Sequence, residues 1–292
     1  MDLKSYVAER RSLVDQALDK YLPEDTGPAG AVMRAMRYSV FAGGKRVRPI
    51  LCIAACEAVR GEIENALPLA CAIECIHTYS LIHDDLPAMD DDDFRRGIPT
   101  CHKAFGEAIA ILAGDGLLTF AFQILFKSAS ESAPRRKRLA EAGNVIACAA
   151  GVGGMVGGQV VDILSEGKEV EASLVDYIHK HKTGALIAAS VKAGGLAGGA
   201  GKGSLKSLSL YGEALGLAFQ IVDDILDIEG DQEEMGKAAG ADAKKKKATY
   251  PSICGLAESK ESARRLIEAG IKSLQRFGSE AEPLRAIAHY IV

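Results

Sequence analysis

Carboxylates that could bind metal ions are concentrated in two short stretches of the chain. The first, "HDDLPAMDDDDFRRG" (83–97), holds six aspartates within the ten positions 84–93. The second, "FQIVDDILD" (219–227), places Asp223 and Asp227 four residues apart, so that they share one face of a helix. Both stretches adjoin apolar sequence, where an unpaired carboxylate is costly to bury. Oxygen ligands favour Mg²⁺ or Mn²⁺, and the alternatives are a solvated acidic loop for the first stretch and an exposed helix face for the second.

Basic residues indicate what such a metal would hold. Lys45, Arg46 and Arg48 lie in "GGKRVRP" before a predicted helix start, where backbone N–H groups can bind an anion. Mg²⁺ binds substrate phosphates together with a few carboxylates, and Arg and Lys bind the phosphate oxygens left free. The pattern predicts polyphosphorylated substrates, and the absence of a GxxxxGK[ST] loop disfavours a nucleotide. The other single basic residues that could serve are Arg95, Arg96, Lys182, Lys237 and Lys247.

The elements that must position these residues are helices. Apolar residues recur with helical spacing, whereas alternating strand patterns and Asn-Gly or Asp-Gly hairpin signals are missing. Several helices are apolar around much of their circumference and should be buried in a central bundle. We therefore expect one all-α domain, residues 1–292, of about ten helices. The predicted helices cover 2–21, 28–42, 48–60, 64–85, about 103–129, 135–164, 171–194, 204–229, 248–258 and 259–277.

Composition narrows the class of protein further. A formal net charge of −4 and the absence of Trp disfavour nucleic acid as a partner. The seven cysteines form no CxxC pair, and those at 52, 56, 71 and 75 are expected to be buried free thiols, which suits a reducing compartment. The N-terminal stretch lacks an apolar signal-peptide core, and no apolar run of membrane-spanning length is expected. These features predict a cytoplasmic protein without a membrane span.

Six motifs, in this order, resemble those of short-chain trans-prenyl diphosphate synthases. They are "GGKRVRP" (43–49), "IHTYSLIHDDLPAMDDDDFRRG" (76–97), "GGQVVD" (157–162), "HKTGAL" (181–186), "FQIVDDILD" (219–227), and "GK" with "KATYP" (236–251). The similarity is greatest to farnesyl diphosphate synthases of bacterial type. It implies the isoprenoid synthase fold with a deep central cavity, three Mg²⁺ ions per site (Mn²⁺ being possible), and a homodimer.

The resemblance also implies roles for individual residues. Asp84, Asp90, Asp223 and Lys182 would be catalytic, and Asp224 would be a further member of the second acidic motif. The metal ligands implied are Asp84, Asp85, Asp90, Asp223 and Asp227. Isopentenyl diphosphate would be bound by Lys45, Arg48, His77 and Arg96. The allylic diphosphate site would be formed or supported by Arg95, Lys182, Thr183, Gln220, Lys237 and Lys247.

The activity implied is the 1′-4 condensation of isopentenyl diphosphate with dimethylallyl or geranyl diphosphate. Tyr79 and Ser80 lie about one helical turn before Asp84, where a bulky ring could close the cavity. An aromatic residue there, with four residues between Asp85 and Asp90, is typical of bacterial farnesyl diphosphate synthases. The expected product is therefore farnesyl diphosphate (C15), with geranylgeranyl diphosphate (C20) as the alternative.

Three functions of other classes fit the sequence less well. An HD-type metal phosphohydrolase would use "HDD" (83–85) but would leave the basic residues and the second acidic stretch unexplained. A regulatory subunit without activity would be expected to have lost one acidic motif, and both are intact. A terpene cyclase is disfavoured because the predicted isopentenyl diphosphate site is complete.

Overall fold

The structure is a computed structural model and describes residues 1–128, 133–168, 170–229 and 249–291. Helices dominate these residues, which confirms the all-α prediction. The first half contains α1 (Leu3–Tyr21), α2 (Gly30–Val40), α3 (Val47–Ala58), α4 (Ile63–Asp84), β1 (Phe94–Arg95), β2 (Ile98–Pro99), α5 (Cys101–Phe105), α6 (Glu107–Ser128) and α7 (Ala133–Ala150). The second half contains α8 (Met155–Ser165), α9 (Ala172–Ile178), a π helix (His179–Gly184), α10 (Ala185–Ala197), α11 (Lys202–Glu229), α12 (Tyr250–Cys254), α13 (Leu256–Ser273), a 3₁₀ turn (Ser279–Ala281) and α14 (Glu282–Ile291).

Four predicted helices are interrupted, each for a local reason. The helix predicted over 248–258 is divided at Gly255, whose φ is 80°. The helix predicted over 103–129 is divided at Gly106, whose φ of 85° lies in the left-handed region that favours glycine. A turn at 151–154, in which three of the four residues are glycine, divides the helix predicted over 135–164. Within the range 171–194 the chain forms a π helix, whose wider turns a count of 3.6 residues per turn does not detect.

A short hairpin follows the first acidic stretch and was not predicted. Strands β1 and β2 pair antiparallel, with Phe94 opposite Pro99 and Arg95 opposite Ile98. The two residues of the turn, Arg96 and Gly97, have φ values of 54° and 80°. Two-residue hairpin turns with positive φ match the twist of the strands, but an arginine at such a position gives no sequence signal. The hairpin places Arg95 in a strand and Arg96 in the turn.

The core is formed around the two helices that carry the aspartate stretches. Helix α4 packs against α3 and α6, and α11 packs against α10 and α13. Helix α10 also contacts α3, α4 and α7, so that it connects the two halves of the bundle. Gly194 of α10 lies against the backbone of α3, because a Cβ at this position would be 1.9 Å from the Cys52 carbonyl oxygen. This close contact fixes the distance between the two halves.

Four thiols are buried as predicted, and two helical stretches are unusually long and apolar. The cysteines at 52, 56, 71 and 75 are buried and free, as predicted, whereas Cys148 and Cys254 are exposed. Two helical stretches, Glu107–Ser128 and Arg135–Ser165, are long and apolar enough for a membrane span by length and composition, which the sequence reading did not expect. Their apolar windows are 39% and 28% buried, and one or two such stretches do not by themselves indicate a membrane protein.

Candidate active site

The end of α4 brings two predicted metal ligands together. Helix α4 ends at Asp84, and after a bend the backbone N–H of Asp90 donates to the Asp84 carbonyl oxygen at 2.8 Å. Burial, opposed by the positive charge of Lys182 and reinforced by Asp90, raises the pKa of Asp84 to about 6. A carboxylate held in this environment gains from a nearby cation, since burial penalises its uncompensated charge. Both oxygen donors fit the preference of Mg²⁺.

Asp85 points to a different partner. It is only 3% exposed, and both of its carboxylate oxygens accept hydrogen bonds from Arg95 Nε, at 2.8 and 2.9 Å. Arg95 comes from β1, so the bond joins the end of α4 to the hairpin. The structure thus places Asp85 in an ion pair that holds Arg95, and a metal-binding role for Asp85 stays a prediction.

Arg96 lies against the turn that begins "GGKRVRP". Its Nη1 donates to the Gly43 carbonyl oxygen, and a Cβ on Gly44 would be 2.6 Å from the guanidinium carbon. The φ of Gly44 is 117°, a conformation that favours glycine, and any side chain there would also have to shift this guanidinium. The hairpin turn therefore places the Arg96 side chain against the segment that carries Lys45, away from the Asp85–Arg95 pair.

His77 and Arg48 complete this cationic region. His77 Nε2 lies 3.4 Å from Arg48 Nη1. Burial and the charges of Arg48 and Arg96 hold the pKa of His77 well below its usual range. The predicted isopentenyl diphosphate residues Arg48, His77 and Arg96 are thus brought together, with Lys45 exposed in the adjoining turn. Such a group of positive charges around a neutral imidazole suits a diphosphate.

Arg46 points inward, although it stands between Lys45 and Arg48 in the sequence. It is 4% exposed and donates from Nε to Asp15 at 2.8 Å and from Nη1 to Glu74 at 2.7 Å. Its Nη2 donates to the Val40 carbonyl oxygen at 2.6 Å. Arg46 therefore connects α1, α2 and α4 behind the cationic region, a structural role that sequence reasoning missed.

The second acidic stretch lies on α11 and faces the same region. Asp223 is exposed, Asp227 is partly exposed, and Asp224 is buried. Burial lowers the pKa of Arg48, and the negative charges of Glu74 and Asp223 oppose this change. The negative charge of Asp223 on α11 therefore acts on Arg48 of α3. The second acidic motif is thus linked to the cationic region, and a metal site shared with Asp84 and Asp90 stays a prediction.

The π helix supplies Lys182 and Thr183 to this site. Lys182 Nζ donates to Asp162 Oδ2 of α8 at 2.6 Å, and its charge also acts on Asp84. Thr183 Oγ1 donates to Gln220 Oε1 at 2.7 Å. A Cβ on Gly158 would be 2.2 Å from the Lys182 backbone nitrogen, so glycine allows α8 to lie directly against the π helix. The "GGQVVD" motif therefore acts by positioning Lys182, a role its sequence did not reveal.

The remaining predicted site residues are Lys237, Lys247, Tyr79 and Ser80. Lys237 and Lys247 lie outside the described residues. Tyr79 is 7% exposed, and its ring meets the His83 ring edge to face at 5.8 Å. Ser80 Oγ donates to the His77 carbonyl oxygen at 2.9 Å. A cluster that was not predicted has one ligand atom each from Asp91, Asp93 and His102 within 4.8 Å of one another.

This arrangement defines a class of protein: an all-α enzyme whose two aspartate motifs and surrounding cations suit metal-dependent diphosphate chemistry. The family model described as "Polyprenyl synthetase" matches residues 30–289. The chain belongs to the polyprenyl synthetase family, and its fold is the isoprenoid synthase fold. Members of this family are known to use divalent metal.

Similar proteins make different products. The chain is 48% identical to the heterodimeric geranylgeranyl pyrophosphate synthase large subunit 1 of Arabidopsis thaliana, over 99% of this chain and 79% of the relative. It is 47% identical to the farnesyl diphosphate synthase of Geobacillus stearothermophilus, over 100% of this chain and 97% of the relative. A crystal structure of an FPP/GFPP synthase from Zymomonas mobilis matches with a TM-score of 0.89 at 38% identity, covering 100% of this chain and 99% of that one. The prenyl diphosphate synthase activity is therefore supported, whereas the product length is divided among relatives.

Proposed function

We propose that this protein is a Mg²⁺-dependent farnesyl diphosphate synthase, which condenses isopentenyl diphosphate with dimethylallyl or geranyl diphosphate. The observation that carries the C15 product is the buried ring of Tyr79, about one turn before Asp84 on α4. A prenyl chain growing along α4 from the diphosphate site would meet this ring. The Geobacillus stearothermophilus relative, a farnesyl diphosphate synthase over nearly its full length, supports the same product.

The chemistry would proceed by ionisation, condensation and elimination. The allylic C1–O bond breaks, and pyrophosphate leaves with the electron pair. The double bond of isopentenyl diphosphate then attacks C1, and the proton released from the new cation passes to pyrophosphate. Mg²⁺ bound by Asp84, Asp90 and Asp223 would supply electrostatic stabilisation of the leaving group.

The cations of the site would act in two groups. Arg95 and Lys182 adjoin the carboxylates and would stabilise charge on the leaving pyrophosphate. Arg48 and Arg96, with His77, would hold isopentenyl diphosphate, whose phosphates stay bonded throughout. Because the two arginines 95 and 96 point to different partners, each substrate would have its own arginine.

We also propose a single catalytic domain that works as a cytoplasmic homodimer. Helix α6 exposes Ile111, Leu112 and Phe126, which are 44%, 54% and 74% exposed. Exposed apolar patches of this kind mark protein interfaces. A second copy of the chain is the partner proposed here. Light scattering should give twice the chain mass, and Phe126→Asp should reduce it towards that of a monomer.

Product analysis tests the proposed reaction. Purified protein is incubated with radiolabelled isopentenyl diphosphate and geranyl diphosphate, with Mg²⁺ or with EDTA, and the dephosphorylated products are separated by chain length. The expected result is mainly C15 alcohol with Mg²⁺ and none with EDTA. Tyr79→Ala should extend the product towards C20, whereas Tyr79→Phe, which keeps the ring, should still give C15.

Other outcomes separate the alternatives. Mainly C20 alcohol from the unaltered protein would identify a geranylgeranyl diphosphate synthase and remove Tyr79 from its proposed role. Phosphate release without a condensation product would favour the phosphohydrolase. A chain that condenses nothing until a second protein is added would be a regulatory subunit.

A further inference from the structure

Asp224 differs from its neighbour in the second acidic motif. It is 2% exposed, whereas Asp223 is exposed. Successive residues of a helix are rotated by about 100°, so the two side chains leave α11 in different directions. Asp223 acts on Arg48, while Asp224 points into the protein between α11 and the π helix.

Three groups from three elements surround the Asp224 carboxylate. Gln220 Nε2, from the preceding turn of α11, donates to Oδ1 at 3.0 Å. The backbone N–H of Tyr250, the first residue of α12, donates to Oδ2 at 2.8 Å. His179 Nε2, from the π helix, lies 3.3 Å from Oδ2, and the His179 ring stacks on that of Tyr250. A buried carboxylate so surrounded holds three elements in one arrangement.

The orientation of Gln220 follows from this contact. A carboxylate only accepts hydrogen bonds, so the NH₂ end of Gln220 must face Asp224 and its Oε1 must face the other way. Oε1 accepts the hydrogen bond of Thr183 Oγ1 at 2.7 Å. The hydroxyl hydrogen of Thr183 is therefore directed at Gln220, and Asp224 determines this direction through the amide.

We propose that Asp224 is a positioning residue, which sets Gln220, Thr183 and the start of α12, while metal binding in this motif falls to Asp223. The inference rests on the proposed function in treating Asp223 as a metal ligand and Gln220 and Thr183 as part of the allylic diphosphate site. It divides the paired aspartates of the motif between two tasks, binding and support.

A metal-binding comparison tests the division. Titration calorimetry measures Mg²⁺ binding in the presence of inorganic pyrophosphate for the unaltered protein, Asp223→Asn and Asp224→Asn. Asp223→Asn should weaken Mg²⁺ binding at least 10-fold, whereas Asp224→Asn should change it less than about 3-fold. Equal weakening by the two variants, with an unchanged melting temperature for Asp224→Asn, would overturn the proposal.

A double-variant cycle tests the network itself. Gln220→Glu in the unaltered background places two carboxylates in contact and should lower the melting temperature by several degrees. In the Asp224→Asn background the same change supplies an acceptor for both the Asn NH₂ and the Thr183 hydroxyl. There it should leave the melting temperature unchanged or raise it. Equal losses in both backgrounds would show that the two side chains are not coupled.

Kinetics distinguish positioning from general support of the fold. Asp224→Asn should raise KM for geranyl diphosphate several-fold and leave KM for isopentenyl diphosphate within about twofold. The reason is that Thr183 and Gln220 are assigned to the allylic diphosphate site and not to the isopentenyl diphosphate site. A fall in kcat with both KM values unchanged would contradict the claim that Asp224 positions Gln220 and Thr183 for the allylic substrate. The calorimetric and melting experiments need no condensation activity, so they can succeed or fail independently of the proposed reaction.

Discussion

The two aspartate pairs, Asp84–Asp85 at the end of α4 and Asp223–Asp224 in α11, share a pattern and differ in how it is built. In each pair the second residue is buried and bonded within the protein, while the first is more exposed. Asp85 accepts hydrogen bonds from the charged guanidinium of Arg95. Asp224 is held instead by an amide NH₂ and a backbone N–H, with an imidazole beside it. Adjacent residues of one type can therefore serve binding and support, and the support can be ionic or made of neutral donors.

The largest effect should come from the more exposed member of each pair. Asp84→Asn and Asp223→Asn should each lower kcat about 100- to 1000-fold, because each removes charge that would stabilise the leaving pyrophosphate through Mg²⁺. A steady-state assay with saturating substrates and Mg²⁺ measures this. A large loss for only one of them would break the parallel between the pairs.

Asp84→Asn has a second expected result in the absence of metal. Burial raises the pKa of Asp84 to about 6, so its ionised form is disfavoured by the folded state and lowers stability at pH 7. Removing this charge should raise the melting temperature of the metal-free protein at pH 7. At pH 4, where the carboxyl group of the unaltered protein is mostly protonated in the folded state, the difference should shrink.

The supporting members should differ in stability when their bonds are broken. Arg95→Gln leaves a buried carboxylate without its charged partner, and the free energy of unfolding should fall by about 3 kcal/mol. Thr183→Val, which removes one neutral donor from the Gln220–Asp224 chain, should cost about 1 kcal/mol. Urea denaturation of the metal-free variants measures both values. Similar losses would remove the distinction between ionic and neutral support.

The close contact between Gly158 and the Lys182 backbone should give a smaller effect. Gly158→Ala brings a methyl group within 2.2 Å of the Lys182 nitrogen, so α8 and the π helix must separate. We expect a loss of about 1–3 kcal/mol, as for overpacking in a core, and a lower kcat because Lys182 shifts. Gly153→Ala is the matched control, since nothing lies within 4 Å of its new methyl group. Equal effects of the two variants would contradict this account.

The smallest effect should be a pH dependence confined to the α4 side. Burial and the nearby arginines keep the pKa of His77 well below 6.5, so the folded protein resists its protonation. The unfolded chain takes up this proton below about pH 6.5, and stability is therefore lost as pH falls through that value. His77→Gln should lose less stability than the unaltered protein between pH 7 and pH 5. Identical pH profiles would show that His77 does not contribute.

Some of this arrangement could be predicted from the sequence, and the reasons for success and failure are physical. Helical spacing of apolar residues predicted α1, α4 and α11 to within two residues at each end, because long periodic helices bury one pattern of side chains. The joint presence of two acidic stretches and separate basic residues predicted the family, which the polyprenyl synthetase match confirms. These signals are local and chemical.

The missed features depend on contacts between distant segments. Arg46 reads like its neighbours Lys45 and Arg48, but its direction is decided by Asp15 and Glu74 on other helices. Asp224 reads like Asp223, but its burial depends on the π helix and α12. The hairpin was missed because its turn uses an arginine at positive φ. The composition of the chain and the spacing of its residues carry no information about contacts between distant segments.

The contact between Arg96 and Gly44 has a consequence for how the sequence can change. Glycine at position 44 is favoured first by its φ of 117°, and a side chain there would in addition have to shift the Arg96 guanidinium. Position 44 should therefore remain glycine whatever residue stands at position 96, although the two positions lie in separate motifs. A chimaera that takes the "GGKRVRP" turn from one parent and the hairpin from another should keep this contact whenever the first supplies glycine at position 44 and the second arginine at position 96.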